Sequence, residues 1–321
     1  YGSRTAAEGT RRPEFTEVDP TRLLRRTEIQ VGSAAAAREK RSLRRLIGKM
    51  WRLMARKPAR IAIPSTTVSS TSDANPAQAI RTAVICRAAA RALRAVATKA
   101  EVSVNDLYLQ QMLLHVRDWN QQHERVSPSS WIRLAVPISM RTAEHQSLPA
   151  TNLVSYAFVT RRAAECDDPA SLLQTIHQQT NDTLFHREGV VFLKVLKITC
   201  RLPFGFQLLL KLKPCLCTMV VANVGDVRRR FQGRFPLQNG KWIAGNVVVD
   251  RIDGVAPVRP NTRAAVSIGD YAGAVVINLR TDTSVLNPLA SDQFFAGYIR
   301  RLEQLAQANH AITNDESEPA V

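Results

Sequence analysis

The sequence predicts an α/β protein, a mixed sheet with helices packed on it. Three observations carry that prediction. Short apolar or alternating runs recur from residue 79 onward, stripes with an i, i+3, i+4, i+7 spacing lie between them, and their order follows no strict strand–helix–strand rhythm. The first strand is expected at 80–85, and 88–99 favours helix. Ser103 opens the next helix. In Ser103-Val104-Asn105-Asp106 the hydroxyl can accept from the third helical amide while the Asp106 carboxylate reaches back to the cap amide. Leu109, Met112, Leu113 and Val116 form that helix's stripe, which runs to Trp119. Residues 131–137 alternate, with Ile132, Leu134 and Val136 on one face, whereas 152–159 is apolar on both faces and reads as a central strand. Asp168 caps a helix with Pro169 in its first turn, continued by Leu172, Leu173 and Ile176. Strands are expected at 217–221, 243–249, 264–268 and 274–279, the last two as a hairpin, before a closing helix at 289–305.

The flanks read differently. Residues 1–62 form a basic connector in which 41–57 is an amphipathic helix: Leu43, Leu46, Ile47, Met50, Leu53 and Met54 share a face bordered by seven Lys/Arg and no acid. That face could pack on the protein's own core or lie on a membrane surface. Residues 63–78, rich in Ser, Thr and Pro, are a linker, 79–308 form the folded unit, and 309–321 are an acidic disordered tail.

The net charge of +17 is concentrated. Residues 1–60 hold sixteen Lys/Arg against six Asp/Glu, and 181–241 hold eleven against three. Such a field suits an acidic partner or a phosphate-bearing cofactor, and solvated surface explains it about as well. Nucleic acid is not expected, because no binding motif is present and aromatics are scarce beside the basic runs. No apolar stretch is long enough and free enough of charge to span a bilayer, so the chain is expected in the cytoplasm, with peripheral membrane contact through 41–57 left open. The five cysteines show no metal-ligand spacing and read as buried thiols.

Catalytic signatures are absent. There is no G-x-S-x-G, P-loop, G-x-G-x-x-G or H-E-x-x-H. Of the six histidines, His115 lies beside an apolar stripe and reads as structural, His177 sits on a polar helix face, His186 lies in a following turn, and His123, His145 and His310 sit in polar contexts. No metal site is expected.

Five segments nevertheless resemble a known superfamily in order. VSVNDLYLQQMLLHVRDW (102–119) is similar to the N-D helix of wax ester synthase/diacylglycerol acyltransferase-type proteins and condensation domains, which share the chloramphenicol-acetyltransferase-like fold. RLAVPISMRT (133–142) resembles the P-x-s-x-R strand and turn, and TNLVSYAFV (151–159) the G-N-x-v-s strand, with Thr151 in place of Gly. VVANVGDV (220–227) resembles the S-N segment, with Ala222 in place of Ser, and YAGAVVINLRTD (271–282) resembles the last hairpin.

The resemblance implies one subdomain of a two-subdomain fold with a tunnel between the halves. It also implies acyl transfer from a coenzyme A or carrier thioester to an alcohol or amine, with a histidine of an H-H-x-x-x-D-G motif as base. No adjacent histidine pair occurs in this chain, so the motif is expected upstream of Tyr1. The alternative is a non-catalytic relative that uses a basic face for a membrane or partner. The resemblance places Ser139, Arg141, Asn152, Ser155 and Asn223 as candidates to bind a pantetheine arm or a developing oxyanion. Ser103, Asn105 and Asp106 read as a structural helix cap.

Overall fold

The computed structural model describes residues 48, 55–65, 79–123, 126–139, 154–185, 215–228, 235–258 and 261–315. Its main sheet has six strands: β1 (Ile80–Ile85), β2 (Trp131–Ser139), β3 (Val154–Arg162), β4 (Met219–Asp226), β8 (Ala264–Tyr271) and β9 (Ala274–Thr281). Their order is β1-β9-β8-β4-β2-β3. The central strands β8, β4 and β2 run parallel, and the β1–β9, β9–β8 and β2–β3 pairs are antiparallel. Four helices accompany it: α1 (Arg87–Lys99), α2 (Val104–His123), α3 (Pro169–Phe185) and α4 (Pro288–Asp315).

All four helices pack on one face of the sheet. Ile132 and Leu134 of β2, Val221 of β4, Val266 and Ile268 of β8 and Ile277 of β9 point into the same core as Leu93, Leu113, Ile176 and Phe294 of the helices. This is the period-two strand face meeting the period-3.6 helix stripe, the usual way a mixed sheet removes apolar area from water. The other face carries only a small cluster of Ala135, Cys217, Val220, Ala256 and Ala265. Ile80, Val84 and Val154 lie on that second face by strand alternation and are exposed.

Local chemistry explains the element ends. Asp168 Oδ1 accepts from the Ala170 and Ser171 amides at 3.1 Å each, so the cap before Pro169 forms as expected. The β8–β9 hairpin turns through Ala272 (φ 52°) and Gly273 (φ 87°), a left-handed pair that matches the twist of the strands.

Three expectations are corrected. The strand expected at the sheet centre, β3, is an edge strand beside β2, because apolar residues on both faces report cover above and below the sheet, here partly the small cluster against which Tyr156 and Phe158 pack, and not a neighbour on each side. The run 243–249 is not one strand of the main sheet. It breaks at Gly245 (φ 64°) into β6 (Lys241–Ala244) and β7 (Val247–Val248), which with β5 (Leu237–Gln238) form a separate small sheet. Among the four described cysteines, Cys166 and Cys217 are buried thiols, but Cys86 is exposed.

The connector contributes to the fold near its end. Pro58 bridges to Trp131, and Ile61 and Ala62 are fully buried. Asn120 fixes this segment by accepting from the Ala62 amide at 2.8 Å and donating to the Arg60 carbonyl at 3.0 Å. Nearly all of the helix expected at 41–57, most of the linker, and the tail from 316 lie outside the described residues.

Candidate functional site

The parallel strands β2, β4 and β8 all end at one edge of the sheet, where open α/β sheets commonly hold their ligands. The start of α2 meets that edge. Asn223 Nδ2 donates to Asn105 Oδ1 at 3.0 Å, and Asn223 Oδ1 accepts from the Gly225 amide at 2.8 Å. β4 bulges between Asn223 and Gly225, whose φ of 67° is available at low cost only to glycine. The bulge and the α2 cap therefore hold the two asparagines together across 118 residues of sequence.

Behind Asn105 the cap is fully engaged. The Asp106 carboxylate, a group that only accepts, is 1% exposed and takes hydrogen bonds from four donors. The Ser103 amide reaches Oδ2 at 3.1 Å and its hydroxyl at 2.6 Å, and the Asp106 amide returns a bond to Ser103 Oγ at 3.2 Å. The reciprocal cap read from the sequence is therefore present. The sequence did not reveal that the same carboxylate also meets His177 Nδ1 at 2.8 Å and the Thr180 hydroxyl at 2.7 Å, both on α3. The other ring nitrogen of His177 contacts Asn181 Nδ2 at 2.9 Å. His177, on the polar face of α3, is thus oriented by a buried carboxylate. Its 71-residue separation from Asp106 left no local signal.

The same edge carries two ion pairs. Arg94 of α1 pairs with Asp270 of β8, and Arg228 pairs with Asp226 through Nε at 3.1 Å. Of the eleven basic residues in 181–241, Arg228 and Lys241 are described, and both are paired with carboxylates, Lys241 with Asp250. Ser139 ends β2 and is exposed, and Ser155, opposite Ile138 in β3, is completely buried. Arg141 and Asn152 lie outside the described residues, as do His145 and His186. No group of three or more His, Cys, Asp or Glu side chains suited to a metal occurs among the described residues, and no described helix is long and apolar enough to cross a membrane.

Two cavities open elsewhere. One of about 710 Å³ lies at the opposite strand ends, lined by Lys57, Arg60, Ser130, Trp131 and Arg263. The other, of about 860 Å³, lies between α2 and α4.

No family model matches the sequence, and no curated protein matches it. Solved structures do match. The trichothecene 15-O-acetyltransferase TRI3 from Fusarium sporotrichioides superposes with a TM-score of 0.58 at 14% identity, covering 82% of this chain and 52% of that one. The condensation domain of the Monacolin K polyketide synthase MokA gives 0.52 at 13% identity, covering 86% and 61%. The cyclization-docking bidomain of the nonribosomal peptide synthetase EpoB from Sorangium cellulosum gives 0.50 at 13% identity, covering 82% and 48%. The fold is that of condensation domains and acyltransferases. At these identities the likeness shows fold alone, and the chain spans between about half and three fifths of each of these structures.

Proposed function

We propose that the chain forms one wall of an acyl-transfer site and acts in moving an acyl group from a coenzyme A or carrier thioester to an alcohol or amine. The observation that carries this reading is the Asn223–Asn105 hydrogen bond. It joins the two family-like segments at the strand-end edge, on a chain whose fold matches acyltransferases and condensation domains. A base on the acceptor is effective only when acceptor and thioester are held in line. The wall's task is that positioning. Ser139 and the Asn223 amide supply hydrogen-bonding groups at the edge, and Arg141, Asn152 and Ser155 remain candidates of the same reading. On this reading the base is a histidine of an H-H-x-x-x-D-G motif, and these 321 residues hold no adjacent histidine pair. The wax ester synthase/diacylglycerol acyltransferase type is the kind of acyltransferase favoured by the N-D, P-x-s-x-R and Asn223 segments taken together.

The test is binding and turnover on the longest natural polypeptide that contains this sequence. Acetyl- and palmitoyl-coenzyme A are titrated while free thiol release is followed with alcohol and amine acceptors. Thiol release that falls at least tenfold in Asn223→Ala, with the fold retained, supports the reading. Binding of acyl-coenzyme A without turnover points to the non-catalytic relative, and absence of both binding and turnover with thioesters on coenzyme A and on carrier proteins overturns the proposal.

A further inference from the structure

A second polar site stands away from the strand-end edge and is independent of the acyl-transfer reading. Four buried side-chain nitrogen or oxygen atoms among the described residues have no hydrogen-bond partner: Tyr108 Oη, His115 Nε2, His123 Nε2 and Arg301 Nε. Three of those four residues, His115, His123 and Arg301, line the same cavity of about 860 Å³ between α2 and α4. Native folds leave few such atoms, so three around one cavity call for an occupant.

The chemistry of the lining narrows the occupant. His115 is 6% exposed, packs against Phe294 with ring centroids 4.5 Å apart, and is hydrogen-bonded to the Phe294 backbone. His123 is held on Trp119 at 4.2 Å. Arg301 gives one terminal nitrogen to Asp118 at 2.6 Å, which fixes the guanidinium and leaves Nε–H without an acceptor. Asp118, the carboxylate of the lining, is already taken from its other side by Arg117 at 2.5 Å. Arg300 adds a second, exposed guanidinium, so the lining offers two cations and two imidazoles against one shared carboxylate. We propose that this groove binds a small oxyanion, a carboxylate or phosphate group, which accepts from Arg301 Nε and Arg300 and shares a proton with the His115 and His123 rings. An oxyanion satisfies donors and imidazoles together. Ordered water would satisfy them without regard to charge, and the experiment separates the two.

The 321-residue chain is titrated with sodium phosphate and, separately, with sodium acetate at constant ionic strength, and the histidine Cε1–H signals are followed by NMR. Saturable shifts of the His115 and His123 signals with either anion, about tenfold weaker in Arg300→Ala, support the site. Which anion saturates tells whether the group held is a phosphate or a carboxylate. Arg300 is exposed, so its removal leaves the fold intact, whereas removing Arg301 would also take away one of the two arginines that pair with Asp118. Acetate keeps its charge between pH 7.5 and 5.5, so an affinity that rises several-fold on acidification reports proton uptake by the groove; Asp118, His123, Arg300 and Arg301 are the charged or titratable groups facing His115 there. His115→Phe, which fits the aromatic neighbours Phe294 and Tyr298, is expected to weaken that pH dependence. Shifts that grow linearly with both anions, or that are unchanged in Arg300→Ala, overturn the proposal.

Discussion

The two ends of α2 handle buried polarity in opposite ways. At its start the Asp106 carboxylate is enclosed and every neighbour answers it: Ser103 twice, His177 and Thr180. Nine residues after Asp106 comes His115 and then His123, whose buried Nε2 atoms, like Nε of Arg301 on α4, stay unanswered. A buried polar network that is complete fixes one geometry, and here it fixes Asn105 against Asn223. An incomplete network around a cavity is a different device, because the missing partner can come from solution. The first end positions; the second is built to receive.

The largest expected break is at the complete end. Asp106→Ala removes four hydrogen bonds accepted by a carboxylate that is 1% exposed, so it should cost about 3 kcal/mol in urea unfolding, and Asp106→Asn should recover part of that. A loss below about 1 kcal/mol would mean water reaches the cap and the comparison fails.

The other end should show itself in acid. Burial is the main cause that lowers His115 from 6.5 to about 4, with Arg301 adding to it and the Phe294 hydrogen bond and Asp118 opposing. The unfolded chain takes a proton near pH 6.5 that the folded chain refuses until about pH 4. Stability is therefore present above pH 6.5 and falls as pH drops to about 4, by up to about 3 kcal/mol from this group. His115→Phe should flatten that part of the pH–stability curve, and an unaltered acid limb would show that His115 titrates normally.

The smallest effect tests the packing that holds His115. A Cβ at Gly297 would sit 2.7 Å from His115 Cε1, so Gly297→Ala must move the ring and is expected to destabilise by about 1–2 kcal/mol, read as a lowered Tm. A Tm equal to the wild type would show that the ring has room to move.

The sequence alone determined the elements whose signals are local. The apolar periods located β1, α1, α2, the β8–β9 hairpin and α4, and the Ser103–Asp106 and Asp168 caps form through bonds within three residues. Segment motifs also pointed to the fold, to Asn223 as a candidate site residue and to Asn105 as part of a structural cap. Tertiary structure decided the rest. Strand order made β3 an edge, since apolar faces report what packs above and below a strand and not whether it has a neighbour on each side. Pairings across long separations joined His177 to Asp106 and Asn223 to Asn105, and no local pattern encodes a contact 71 or 118 residues away. His115 shows the limit most clearly: its place beside an apolar stripe foretold burial, but whether a buried imidazole finds a partner depends on which side chains a distant helix brings to it.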